Sequence, residues 1–375
     1  MSIEMWTTGL AHVSVAPRSA ARAEADGWAG MVVVDSQNLS GDPFVGLALA
    51  ARETSRLQLG TGVTNPTTRH PAAAAAAIAS VHVASSGRAT LGVGRGDSAL
   101  AHLGFAPASL ADLDRFVRAT RAYLRGEPVS FDDLRSFEHA GARSVDVLGL
   151  ANTPADSRLH WLPADLAPVP VDVVATGPRA IALAGAAADG VWLAVGADPQ
   201  RVAWAADAAA AAGGARLAAF VNVVAHPDLS IARRLASGGL TTFARFSAMD
   251  GKVRTPIDEA SAQTLRNVHA AYDMERHTRA GSPQAGQLTA EFIDRFGIVG
   301  SPEHCIARLR ELAAIGIGRF IVVGPSIDAD RDEAAVSRRL FVDEVLPAFS
   351  DSTPMTPRTD SATSAATPTE AAHAT

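Results

Sequence analysis

Residues 59–98 read LGTGVTNPTTRHPAAAAAAIASVHVASSGRATLGVGRGDS. A short apolar run, Leu57 to Val63, passes into glycine-rich polar sequence that closes on Arg69, His70 and Pro71. An alanine-rich helix over 71–84 follows. A second apolar run, Ala89 to Val93, then ends in the turn GRGDS. Apolar runs of this length bounded by turn residues predict buried strands. Strand, polar loop, helix, strand, polar loop is the order of a β/α barrel. Both loops fall at C-terminal strand ends, where such barrels carry their chemistry.

The same alternation extends to both sides. Ile3 to Thr8 predicts a first strand that contains Glu4, and residues 17–26 predict a helix stopped by Gly27. Met31 to Val34 is a β-branched run that ends in Asp35 and Ser36, and a helix starts at Pro43. Residues 110–124 form a fourth, amphipathic helix. Between Arg125 and Pro170 the rhythm breaks on repeated prolines, which marks an insertion. It resumes with strands over 171–175, 191–195 and 217–225, the first two followed by helices over 179–187 and 199–212. A polar, mainly helical stretch over 228–295 is a second insertion. A helix over 302–315, an eighth strand over 319–323 and a closing helix over 329–349 complete the pattern. The fold class is α/β, a (β/α)8 TIM barrel with insertions, in one domain over 1–349. Residues 350–375 are Ser/Thr/Pro/Ala-rich and are expected to be a disordered tail.

Composition bounds the function. Net charge is −6, against a general nucleic-acid binder. One cysteine, Cys305, excludes an intrachain disulfide and fits a reducing, cytoplasmic setting. There is no basic-then-apolar leader at the start and no long uninterrupted apolar run, so no signal peptide or membrane span is predicted. The histidines show no ligand spacing such as HExxH, so no metal is expected. Walker, nucleophile-elbow and GxGxxG motifs are missing as well. The expected partner is a small-molecule substrate. The alanine-rich helices over 45–52 and 71–84 suit close helix contact, and a homo-oligomer is expected.

Three strand ends carry the candidate chemistry. In TGVTNPTTRHP, Gly62 lets a ligand lie against the main chain, Asn65 marks a turn, and Arg69 brings donors to the rim. The bland reading, loop punctuation with a solvated arginine, stands beside it. In GVGRGDS, Gly94 and its neighbours can offer backbone N–H groups, while Asp97 reads first as a helix N-cap and second as a catalyst. In ATGPRAIALAG, Thr176, Gly177 and Pro178 open a helix whose free N–H groups, with Arg179, suit a phosphate; an ordinary helix start reads equally well. Asp35 ends the second strand and points to the barrel mouth. Glu4 reaches the same space only if its side of the strand faces inward.

These stretches together resemble the bacterial luciferase-like superfamily of flavin- and deazaflavin-dependent oxidoreductases. The likeness rests on Ile3-Glu4, VVVDS (32–36), LGTGVTNPTTRHPA (59–72), GRATLGVGRGDS (87–98), ATGPRAIALAG (175–185), ADGVW (188–192) and FGIVGSPEHCIARLREL (296–312). Within the superfamily it is closest to coenzyme F420-dependent enzymes of the methylenetetrahydromethanopterin reductase type. The resemblance implies a barrel with a cofactor ring at its C-terminal mouth, and a non-prolyl cis peptide behind that ring at Gly62-Val63. It places Asp35, Gly62, Val63, Thr64 and Asn65 against the ring and Thr176, Gly177 and Pro178 near the phosphate, with Ser36, Gly94 and Arg179 also among the cofactor-binding residues. It makes Glu4, Asp35 and Asp97 the catalytic acids, with Glu4 or Asp97 supplying a proton. One position departs from the related alcohol and sugar-phosphate dehydrogenases, which carry histidine after the second-strand acid. Here Ser36 stands there, and a serine without a paired base is a poor proton acceptor. The expected activity is therefore hydride transfer from reduced F420 to an unsaturated C=N, C=C or C=O substrate, its choice set by the two insertions. The alternative is an FMN-dependent monooxygenase of the same barrel that uses reduced flavin and O2.

Overall fold

The computed structural model describes residues 3–138 and 141–350. Among these residues nine strands run in parallel: β1 (Glu4–Gly9), β2 (Gly30–Val33), β3 (Gln58–Thr61), β4 (Ala89–Val93), β5 (Val171–Ala175), β6 (Gly190–Leu193), β7 (Arg216–Ala225), β8 (Ile298–Gly300) and β9 (Arg319–Val323). Each of β1 to β7 pairs with the next, β7 pairs with β9, and β9 pairs with β1. The ring is therefore closed without β8, as a TIM barrel. The expected helices over 71–84, 110–124 and 199–212 form with those bounds.

The ninth strand is a correction to the sequence reading. β7 has 10 residues and outruns its barrel neighbours, so its last three residues take β8 as an extra partner. Three apolar residues were too few to read as a strand. A short helix, Ser98–Ala101, was also not foreseen. Among its described residues, the stretch over 125–170 holds a short helix, Phe131–Leu134, two tight 3-10 turns and an antiparallel bridge between Val129 and Ser157. The stretch over 228–295 is helical as expected, with Leu229–Phe246, Glu259–Ala270 and Ala290–Phe296. The predicted tail begins at residue 350 and lies, from residue 351 onward, outside the described residues.

Proline fixes where many of the outer helices begin, because a first-turn proline gives up no hydrogen bond. Asp42, Asp198 and Ser301 precede such prolines, and each side chain accepts a backbone N–H from its helix. His70 does the same through Nδ1, 3.2 Å from the Ala72 nitrogen. Such caps stabilise a helix by about 1 kcal/mol each. Gly177, which precedes Pro178, offers no side chain to do this.

Trp6 and Trp192 fill the barrel interior, both almost fully buried, with ring centroids 6.5 Å apart. Burying side chains of this size contributes on the order of 3 kcal/mol each. Their bulk is accommodated by glycine on neighbouring strands. A Cβ at Gly30 would lie 2.4 Å from the Trp6 ring, and one at Gly92 would lie 2.7 Å from the Trp192 ring. Below them an ionic layer closes the N-terminal end. Arg319 Nε donates to Glu4 Oε2 at 2.6 Å, Trp192 Nε1 donates to Asp172 Oδ2 at 2.8 Å, and Arg216 and Arg319 flank Asp172. Burial raises the Asp172 carboxyl above its ordinary range, opposed by those two arginines. Among the described residues, no helix is long and apolar enough to cross a membrane.

Candidate active site

A cleft of about 1450 Å³ opens at the C-terminal ends of the strands. Its floor and walls come from β1 to β5, β7 and β9, and from the stretches over 95–110 and 228–295. None of the described residues lining it falls in 125–170. That corrects the expectation that both insertions shape substrate choice. The first packs on the outside of the barrel, where Leu159 and Leu162 lie against the core.

The loop after β3 builds the floor. The Gly62-Val63 peptide is cis, where the resemblance implies one. Gly62 N donates to Val33 O at 2.7 Å, and Thr64 N donates to Gly92 O at 3.0 Å, so the bulge is tied to strands on both sides. Gly94 closes the tie: its N–H donates to Thr64 O at 2.8 Å. That N–H is therefore spent within the protein and does not cradle a ligand, contrary to the sequence reading. The contribution of Gly94 is space, since a Cβ there would lie 2.8 Å from Val63 Cγ2. Asn65 is fully buried. Its Oδ1 accepts the N–H groups of Thr67 and Thr68, and its Nδ2 has no partner among the described residues.

Arg69 does not lie loose on the rim. It bridges Asp35 and Asp42 with bonds of 2.7 Å to each and stacks over the Phe44 ring at 4.9 Å. The Asp35 side chain is 0% exposed. Burial pushes its carboxyl above the ordinary aspartate value, and Arg69 opposes the rise. The Thr64 hydroxyl lies close enough to Asp35 to oppose that rise as well. The Asp35 and Asn65 side chains are both closed off from the cleft and stiffen its floor from beneath.

The third wall is cationic. The helix Pro178–Ala187 starts without a side-chain cap, and Thr176, Gly177, Pro178 and Arg179 line the cleft there. Arg95 lies near enough to Arg179 that its guanidinium is held below the ordinary arginine value, by burial first and by Arg179 second. Arg95 Nε donates to Ala108 O at 2.5 Å, which fixes it in place. Neither arginine makes an ion pair among the described residues. Free N–H groups, a helix dipole and two cations without an ion pair are the elements from which an anion site is built. Arg179→Ala is expected to weaken inorganic phosphate, or a phosphate-bearing cofactor, by about tenfold, about 1.4 kcal/mol; isothermal titration at low salt would show it.

The acids divide. Glu4 faces the barrel interior, but at the opposite end from the cleft, bonded to Trp6 Nε1 and Arg319. It is a member of the bottom ionic layer, not of the site, which corrects its assignment as a catalytic acid. Asp97 does reach the cleft. It makes no side-chain cap on the helix that follows it, against the first reading of this residue. Instead it forms an ion pair with Arg245 of the helix Leu229–Phe246. Ser36 lines the cleft too, its hydroxyl 3.5 Å from that of Ser98. Sequence reasoning missed Arg245, Tyr272 and His277, which come from the second insertion. No strand end marks them, so they carried no positional signal.

A family model described as luciferase-like monooxygenase matches residues 4–319. The chain belongs to the luciferase-like monooxygenase family. Among relatives of this luciferase-like oxidoreductase, the 5,10-methylenetetrahydromethanopterin reductase of Methanolobus tindarius is 31% identical over 343 residues, covering 83% of this chain and 90% of that protein. An F420-dependent hydroxymycolic acid dehydrogenase of Mycobacterium tuberculosis is 34% identical over 168 residues, 43% of this chain and 41% of that one. The structure of the coenzyme F420-dependent tetrahydromethanopterin reductase of Methanopyrus kandleri superposes with a TM-score of 0.65 at 22% identity, covering 93% of this chain and 100% of that chain.

Proposed function

We propose that this chain is a coenzyme F420-dependent oxidoreductase that passes hydride between the reduced deazaflavin and a small unsaturated substrate. The observation that carries the reading is one cleft that pairs an apolar floor at Val63 with the uncapped, cationic helix start at Pro178 and Arg179. A planar ring joined to a phosphate fits both at once. The likeness to relatives named as F420-dependent supports F420 over other ringed phosphates.

In this reading Val63 backs the ring, Ser36 and Thr64 border it, Asp35 and Asn65 stiffen the floor beneath it, and Gly94 leaves it room. Thr176, Gly177, Pro178 and Arg179, with Arg95, hold the phosphate. When bound, F420 supplies a two-electron hydride donor and acceptor. The protein's part is to fix geometry and exclude water. Phe220, Phe243 and Phe246 line the far side of the cleft and give the substrate an apolar wall. Asp97 and Arg245 neutralise each other in that wall. The test is turnover of reduced F420 against a panel of imines, enones and ketones. Return of the visible band of oxidised F420 with at least one acceptor is expected. A protein that binds F420 yet oxidises it with none of them contradicts the reading.

A further inference from the structure

Hydride delivery to a C=N or C=O bond requires a proton at the heteroatom, and the acids read from the sequence do not supply it. Glu4 lies at the wrong end, Asp97 is held by Arg245, and Ser36 has no base. The second insertion brings a different group to the cleft. Tyr272 Oη lies 2.7 Å from His277 Nδ1. The Arg245 guanidinium stacks over the Tyr272 ring, 4.8 Å from its centroid, and Arg245 in turn holds Asp97. His277 lines the cleft, and its Nε2 makes no hydrogen bond among the described residues.

The histidine sits on a pinned loop. It follows the 3-10 turn Met274–Arg276, and the next residue, Thr278, has a φ of 62°, which is uncommon outside glycine. A Cβ at Gly238 would lie 2.3 Å from Thr278 O, so the loop packs directly on the backbone of helix Leu229–Phe246. Backbone and ring are both fixed, by Gly238 and by Tyr272.

We propose, on the basis of the F420 reading above, that His277 is the proton-carrying catalytic residue and Tyr272 its positioning residue. His277 Nδ1–H donates to Tyr272 Oη, which leaves Nε2 facing the substrate. In the reductive direction the substrate carbon takes hydride from reduced F420, its heteroatom takes the Nε2 proton, and the products are the saturated substrate, oxidised F420 and neutral imidazole. In the reverse direction neutral Nε2 takes the alcohol or amine proton as hydride leaves for oxidised F420. The charged and titratable groups facing the ring are Asp97, Arg245, His102 and Tyr272. Burial, Arg245 and His102 depress the imidazole below its ordinary value, against Asp97. The neutral form therefore prevails at neutral pH, and the reductive rate rises as pH falls. A base present in the cleft also restores alcohols to the substrate class, despite Ser36.

The test uses the full chain with F420 and three probes: 2-cyclohexenone, 1-pyrroline and 2-propanol. Carbethoxylation of His277 by diethyl pyrocarbonate, mapped by peptide mass spectrometry, is expected to slow by about tenfold at saturating F420. An unchanged rate overturns the proposal. His277→Gln should bind F420 within about twofold of the parent, lose about a hundredfold in hydride transfer, and recover in part with added imidazole. Tyr272→Phe should lose less and shift the pH profile. Normal turnover by His277→Gln with an unaltered pH profile also overturns it. If no probe turns over, protection and the Nδ1–H tautomer, read by nitrogen NMR, decide the question; the opposite tautomer overturns it. Failure of the parent to bind F420 removes the underlying reading, and the proposal falls with it.

Discussion

Arg69→Ala is expected to destabilise the protein by about 3 kcal/mol near neutral pH and to abolish cofactor binding. Removing one partner of a buried pair leaves an uncompensated charge, which costs about 3–5 kcal/mol. The lower end applies here, because Arg69 is 19% exposed and Asp35 can take up a proton instead. The pH dependence has a definite sign. Asp35 already has a folded pKa raised above its unfolded value. Between the two values the folded state binds more protons, so stability falls as pH rises through that window. Loss of Arg69 raises the folded pKa further and widens the window. Urea unfolding should therefore show a smaller deficit for the variant at pH 5 than at pH 8. An equal deficit at both would mean that Asp35 is not the group left unpaired. Arg69→Lys should rescue only part, since one ammonium does not span Asp35 and Asp42 as the guanidinium fork does.

Gly92→Ala is expected to be the other severe change. Its Cβ would lie 2.2 Å from Thr61 O and 2.7 Å from the Trp192 ring. The first neighbour is backbone and the second is locked in the barrel interior, so neither can yield cheaply. Overpacking of this kind costs about 3 kcal/mol or more. The displaced segment is the base of the floor, because Thr61 Oγ1 and Thr64 N both bond to Gly92 O. Loss of soluble protein, or a folded variant without cofactor affinity, is the expected result. Gly177→Ala is the control: a Cβ there meets nothing within 4 Å. Thermal unfolding of the two variants should differ widely, and equal melting temperatures would refute the packing argument.

Much of the frame was legible in the sequence. Pro71, Pro199 and Pro302 mark helix starts because a proline at the first turn loses nothing, and each helix begins where its proline predicts. The glycine-rich floor was legible for the same local reason. Pairings across the chain were not. Asp97 looked like a cap because its neighbours in sequence suggest one. Its partner Arg245 lies 148 residues further on, and no local pattern records that contact. The misplacement of Glu4 has another cause. Alternation along β1 correctly allows it to face inward, but only its level along the strand decides the end at which it works. As the first residue of β1 it lies at the foot of the barrel. β8 escaped notice because three residues carry no periodicity.

The central claim is that the floor, the anion site and the wall of this cleft are built for a deazaflavin. Titrating F420 and FMN in parallel, with intrinsic tryptophan fluorescence as the readout, tests it most directly. Trp192 touches Phe220 in the cleft wall, with ring centroids 5.7 Å apart, and so reports on occupancy. Saturable quenching by F420 at concentrations at least about tenfold below those needed for FMN, a gap of about 1.4 kcal/mol, is the predicted result. Tighter binding of FMN would contradict the account and favour the flavin monooxygenase reading.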